Sequence, residues 1–296
     1  MAHVSYSISL VTYIDILGFK DLIATRSAGD ISRIIRIFKE TLRPARHKTR
    51  LKALPDDEFV NFSDLIVIAT PLEKARVAPG LQLFSQLMRL MFAQSSLMAD
   101  EGIAIRGAIT IGQVVKSWRQ IYGPAVVRAY ELERDQAKYP RIVIDDLIFK
   151  TLHGIPHAWH NGESADRRYL REITRRDDKD GMLFVEYLKG LRGEFDDPAV
   201  YPDFLRKHRT FIDQKLQMFA GQASIQRKYR WLDRYHKTTL RFLQGARSDS
   251  EPRTCAPHKI GACGLSEWSL ENRETFTYTY TVSRSKNNNT LVFNMM

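Results

Sequence analysis

Two stretches rich in β-branched and aromatic residues, 8–16 (Ile-Ser-Leu-Val-Thr-Tyr-Ile-Asp-Ile) and 58–69, set an aspartate among apolar neighbours: Asp15 in the first, Asp64 in the second. An ionised carboxylate in that setting is costly unless it is paired or binds a cation. Two such strands lying side by side would turn both carboxylates toward one point. Hard oxygen ligands there suit Mg²⁺ or Mn²⁺, ions that usually carry substrate phosphates. Leu17-Gly18-Phe19-Lys20 follows the first aspartate at a strand-to-helix opening, where free backbone amides can hold a polyphosphate. The residues alone leave a second reading open, with Asp15 a helix cap and Asp64 a strand-end acid paired with an arginine.

The chain around these sites reads as alternating elements. A helix from an Asp30 N-cap to about Leu42 carries Ile31, Ile34, Ile35 and Phe38 on one face and stops at Pro44. A hairpin is expected near Phe62-Ser63. Residues 80–99 repeat Leu81, Phe84, Leu87, Met88 and Met91 at helical spacing. Strands are expected over Ile103–Gln113 and Trp118–Tyr122 with Gly112 near their turn, then a helix from Gly123-Pro124 to about Ala137 and a strand at Arg141–Ile144. The order β-α-α-β-β-α-β-β-α-β predicts an α+β sandwich of the ferredoxin-like kind, with helices against one face of a mainly antiparallel sheet. Residues 1–150 are read as the core domain, 151–247 as a loop and helical extension, and 248–296 as a polar, mobile tail. Within the extension, 151–180 reads as loop, 182–188 as an edge strand and 200–243 as helix.

With 296 residues, 44% of them apolar, the chain can bury a real core. No run approaches a membrane span and no secretory signal is read at the start, so a cytoplasmic protein is expected. The two cysteines, Cys255 and Cys263, cannot build a disulfide framework and fit a reducing compartment. Net charge is +11, and residues 206–247 hold 11 Lys+Arg against two Asp. That segment supports a competing function, a nucleic-acid-binding α+β module. Phe204, Phe211, Ile212, Leu216 and Phe219 instead favour a docked helix with a solvated face, so nucleic acid is not the expected partner.

Four segments in order carry a resemblance: Tyr13-Ile14-Asp15-Ile16-Leu17-Gly18-Phe19, Phe62-Ser63-Asp64, Arg106-Gly107-Ala108-Ile109-Thr110-Ile111-Gly112 and Tyr122-Gly123-Pro124-Ala125-Val126-Val127. Over residues 8–146 they resemble the successive motifs of class III nucleotidyl cyclases. The resemblance implies two divalent ions, Mg²⁺ or Mn²⁺, held by Asp15, the Ile16 carbonyl and Asp64. It also implies a head-to-tail homodimer with composite active sites. Departures point away from purines: Val60 stands where purine-specific members place a base-reading lysine, and Val127 and Glu131 stand where a transition-state Asn and Arg are found. The stretch from Gly123 to Glu133 with Tyr139-Pro140-Arg141-Ile142 is similar to the pyrimidine cyclases of bacterial Pycsar anti-phage systems. Their product, cyclic UMP or cyclic CMP, activates a separate effector. Under this resemblance the substrate is UTP or, second, CTP. Val60, Phe62 and Tyr122 would line the base pocket, Leu17, Gly18, Phe19 and Lys20 would meet the phosphates, and Arg106 and Arg128 are the candidate cations for the α-phosphate.

Other constellations are weaker. Cys255, His258 and Cys263 offer three soft ligands without a fourth, and His153, His157 and His160 lack a regular ligand spacing. Arg192-Gly193-Glu194-Phe195 lies far from the carboxylate pair. Lys228, Tyr229, Arg230, Trp231, Arg234, Tyr235 and His236 interleave cations with aromatics, which suits either base stacking or packing of the rings with the cations in water.

Overall fold

The computed structural model describes residues 5–42, 58–72, 78–117, 120–159, 162–195, 197, 199–248, 280–284 and 291–295. These fall into two compact units, the first comprising Met1–Leu97 with Ile103–Glu186 and the second Met98–Gly102 with Tyr187–Met296.

The first unit begins with β1 (Ser7–Ile16), α1 (Phe19–Thr25), α2 (Ala28–Leu42), β2 (Glu58–Phe62) and β3 (Leu65–Pro71). Helix α3 (Pro79–Glu101), whose last turn falls in the second unit, leads into β4 (Ile105–Ser117), β5 (Gln120–Tyr122), α4 (Pro124–Asp135) and β6 (Ile142–Ile144). Helices α5 (Leu147–His153) and α6 (Glu163–Glu172) precede β7 (Thr174–Arg176) and β8 (Leu183–Val185). The sheet order is β2-β3-β1-β4-β6-β8-β7, with β5 pairing the far end of β4. Every pairing is antiparallel except β4 with β6. The fold is therefore α+β, a mixed and mainly antiparallel sheet with helices packed on it.

Those helices lie on both faces, where the element order predicted one. Successive strand residues point to opposite sides, and Thr12 accepts a hydrogen bond from Gln86 of α3 (2.6 Å) while its neighbour Val11 packs with Ala125 and Ala129 of α4. The side facing α3 holds a buried polar set. Thr70 and Arg89 both donate to the Gln86 carbonyl oxygen (3.0 Å each), and Arg89 also reaches the Leu42 carbonyl at the end of α2 (3.1 Å).

Local chemistry explains several element ends. Ser27, not Asp30, caps α2: the Asp30 amide donates to Ser27 Oγ (3.1 Å) and Ser27 Oγ donates back to the Asp30 carboxylate (2.7 Å), a reciprocal box in which the acid takes the third helical position. The turn after Phe62 is present, with Ser63 at φ 58°. Gly112 is not at a turn; β4 runs on to Ser117, and Gly112 pairs with Ser9 beneath Ala125 of α4. Residues 151–180, expected as loop, instead supply the end of α5, α6 and β7, and β8 is interior, leaving β7 as the edge. The signal was hidden because α6 has little apolar length, burying only Asp166 and Leu170.

The second unit contains α7 (Tyr187–Gly190), a 3₁₀ turn at Leu191–Gly193, α8 (Val200–Met218) and α9 (Ala223–Ser248). Phe211 and Phe219 pack their rings on Tyr229, and Trp231 stacks on Tyr235, so the interleaved aromatics are core and the cations between them face outward. A buried polar chain runs through this core. The rings of His208 and His236 stack with Nδ1 atoms 3.0 Å apart, and Tyr187 Oη lies 2.7 Å from His208 Nε2. All three groups are satisfied when the tyrosine hydroxyl donates to Nε2 and one Nδ1–H donates to the other Nδ1. Within the segment expected as a tail, β9 (Tyr280–Arg284) pairs antiparallel with β10 (Leu291–Met295). Among the described residues no helix is long and apolar enough to cross a membrane.

Burial holds His208 well below the ordinary histidine range and pushes His236 down to about 4. The unfolded chain therefore binds more protons than the folded one as pH falls below about 6.5, and stability is lost across that window. Thermal melts of the full chain at pH 7.5 and pH 4 should show a drop that His236→Gln reduces, with His236 alone contributing on the order of 3 kcal/mol by pH 4.

Candidate active site

The site grows out of the last turn of β1. Continuing the β1–β3 register past its Ile14–Ile66 pair sets Asp64 opposite Ile16 and beside Asp15. The two carboxyl groups share a hydrogen bond, so the acids are convergent. From the other neighbour, Arg106 stands directly across from Asp15 and its Nε donates to Asp15 Oδ2 (3.1 Å). Asp15 therefore meets the second aspartate and is not a helix cap, since Gly18 caps α1, and the arginine pairing expected at Asp64 is found on Asp15 instead.

Burial, followed by the hydrogen bond with Asp64, pushes the Asp15 carboxyl up to about 6, against the opposing pull of Arg106. Its side chain is nevertheless 24% exposed, leaving the pair open to a ligand. The Leu17 amide donates to the Ala104 carbonyl (2.9 Å), which makes Ile16–Ile105 a non-hydrogen-bonded pair and turns the Ile16 carbonyl away from β4, toward the Asp64 side. An all-oxygen set of two carboxylates and a carbonyl, short of positive charge, fits a hard divalent cation. Asp15, Asp64 and the Ile16 carbonyl are the groups that would hold it. Among the described residues no cluster of three or more His, Cys, Asp or Glu offers an alternative.

Past Ile16 the chain turns through Gly18 at φ 77°, a left-handed conformation open to glycine, and Gly18 caps α1. Its carbonyl accepts from Asp21 and Leu22, while the Leu17 amide is already occupied by Ala104. Phe19 and Lys20 open the helix, and Lys20 is exposed.

The remaining expected residues are spread along the sheet. Arg128, on α4, gives two hydrogen bonds to Asp145 (2.9 and 3.2 Å), and Asp145 also accepts from Thr110 (2.7 Å). This places Arg128 level with Thr110, four residues or roughly 13 Å along β4 from Arg106. Tyr122 pairs with Val115, nine residues or roughly 30 Å of strand from Arg106. Phe62, 78% exposed, and Val60 lie on β2, just before the turn that carries Asp64. One copy of the chain therefore brings Asp15, Asp64, Arg106 and Phe62 to one end of the sheet and leaves Tyr122 and Arg128 farther along it.

Two acids that hold the candidate arginines escaped sequence reasoning. Glu133 is buried on α4, with Oε1 2.7 Å from Arg106 Nε, so Arg106 is gripped between two carboxylates. Asp145 neutralises Arg128. Glu133 was detectable, because it shares the buried stripe of Ala125, Ala129 and Leu132, making it a carboxylate on an apolar face just as Asp15 is. His153 bonds Glu163 (2.9 Å), while His160 and the Cys255, His258 and Cys263 group lie outside the described residues.

No protein-family profile matches the chain, and no curated protein does. Among solved structures it is similar to the guanylyl cyclase domain of the RhoGC fusion protein from Blastocladiella emersonii, at 14% identity over 62% of this chain and 96% of that one, with a TM-score of 0.40. The guanylate cyclase domain of RhGC from Catenaria anguillulae in complex with GTP gives 15% identity, 61% and 95% coverage and 0.38. The adenylate/guanylate cyclase/hydrolase from Silicibacter pomeroyi gives 14%, 61% and 95%, and 0.35. Likeness of this size leaves the site's own geometry as the ground for function.

Two outcomes test this geometry. The folded state keeps the Asp15 proton to a higher pH than the unfolded chain does, so charging Asp15 costs stability as pH rises from about 4 to about 6 and the cost persists above that. Asp15→Asn should raise thermal stability at pH 7.5 by about 1–2 kcal/mol and give no gain at pH 4. Glu133→Gln, which leaves Arg106 one carboxylate, should lower stability by roughly 2–3 kcal/mol in denaturant titrations.

Proposed function

We propose that this chain is a metal-dependent nucleotidyl cyclase that converts a pyrimidine nucleoside triphosphate, UTP in preference to CTP, into the 3′,5′-cyclic monophosphate and pyrophosphate. The observation that carries the reading is the meeting of Asp15 and Asp64 side by side from adjoining strands, at an opening where a cation can lie between them. The motif order around them supports the same conclusion.

In the reaction the ribose 3′-hydroxyl loses its proton, its oxygen bonds the α-phosphorus, and the bond to the bridging oxygen breaks to release pyrophosphate. When bound, two ions, Mg²⁺ or Mn²⁺, supply acidification of the hydroxyl and neutralisation of the departing pyrophosphate. Asp15, Asp64 and the Ile16 carbonyl hold them. Arg106, clamped by Glu133, fixes the Asp15 carboxylate and thereby the spacing of the pair. The Phe19 and Lys20 turn meets the β- and γ-phosphates, with Lys20 contributing its charge. Val60 and Phe62 offer apolar wall to a small base.

The distance of Tyr122 and Arg128 from the carboxylates within one copy favours a head-to-tail homodimer, in which the partner completes each site with those two residues. In the partner contribution Arg128 stabilises charge on the α-phosphate. The cyclic product then serves as a second messenger in anti-phage defence, read by a separate effector.

Purified protein with each nucleoside triphosphate and Mn²⁺ should release pyrophosphate and a cyclic monophosphate fastest from UTP, as identified by mass spectrometry. Asp15→Ala and Asp64→Ala should each reduce turnover at least 100-fold. Mixing Asp15→Ala with Arg128→Ala should restore part of the activity absent from either alone, as composite sites require. Product surviving both aspartate substitutions overturns the reading, and so does turnover confined to purines for the choice of base.

A further inference from the structure

The two long helices of the second unit carry their cations differently. On α8 three cations are answered by acids, Arg206 by Asp203, Lys207 by Asp100 (3.2 Å), and Arg209 by Asp213 and Asp233, while Lys215 lies over the Phe211 ring. On α9 the exposed cations stand at Arg227, Arg230, Arg234, Lys237 and Arg241, alternately three and four residues apart. At 100° per residue they fall within a stripe about 80° wide, and it runs about 21 Å along the helix. Lys237 pairs with Asp233 (2.8 Å) and Arg230 donates to Gln226 (2.9 Å). Arg227, Arg234 and Arg241 have no acidic partner among the described residues. Like charges at these spacings repel, so the row is unfavourable to the helix that bears it unless something anionic lies along it.

The opposite side of α9 is committed to the core, with Tyr229, Leu232, Tyr235, His236 and Thr239 buried. The helix therefore has no apolar face to lay into a bilayer, and Phe242 is its one exposed large apolar side chain among the described residues. Four of the five cations are arginines, whose planar forks match phosphate oxygens in pairs. We propose that this stripe binds the phosphodiester backbone of a nucleic acid, without base specificity, over about six base-pair steps of a duplex. The stripe belongs to the second unit, and the proposal does not depend on the chemistry of the carboxylate site.

Anisotropy of a short labelled DNA or RNA duplex titrated with the full chain tests this. Binding at low salt should weaken steeply as salt rises. The triple variant Arg227→Glu, Arg234→Glu, Arg241→Glu should lose at least 10-fold in affinity and flatten the log–log salt slope by roughly 3. Arg206→Glu on α8 should bind as the unaltered chain does. Should the triple variant lose helical circular dichroism, the corresponding Arg→Gln triple, expected to show the same loss, decides instead. Absence of duplex binding at low salt, binding that ignores the α9 substitutions, or stripe-dependent binding to phosphatidylserine vesicles in place of duplexes overturns the proposal.

Discussion

Strand β1 is hydrogen-bonded on both sides, to β3 and to β4, and the molecule's chemistry depends on those two registers. One places Asp64 beside Asp15; the other places Arg106 across from it. Gly107 shows how tight the second seam is, since a Cβ there would stand 2.5 Å from the Tyr13 carbonyl oxygen. No larger residue fits without moving the strand that carries Asp15.

The electrostatics follow from this crowding. Two carboxylates brought together in a partly buried place cannot both ionise cheaply, so the Asp15 carboxyl is pushed up, and one arginine offsets part of that cost. Glu133 then prevents that arginine from fully neutralising the pair, because its charge is divided between two acids. The arrangement is left short of positive charge. Arg128 and Asp145 form a closed account by contrast, and a partner copy would have to draw the guanidinium away from a carboxylate that already grips it twice.

Much of this was readable from residue order. Asp15 and Asp64 stood out because isolated acids in apolar strands demand a shared explanation, and the β2–β3 turn followed from Phe62-Ser63. What the sequence concealed was long-range placement. Glu133 looks like any charged residue of a helix until the stripe of Ala125, Ala129 and Leu132 is seen to face β4. The strands β7 and β8 are three residues each, too short for alternation to announce them, and their burial comes from the sheet they join. Placement of helices on one or both faces could not be read from element order, because that order does not say which side of β1 a helix meets.

The buried contacts of Gln86 acquire meaning in this light. Its amide touches Thr12 and Thr70, one on each of the strands whose alignment juxtaposes the acids. A slip of β3 by a single residue would swing Thr70 to the opposite surface and strand a dry glutamine. Helix α3 thus works as an alignment gauge, penalising every mispairing from a position that touches neither aspartate.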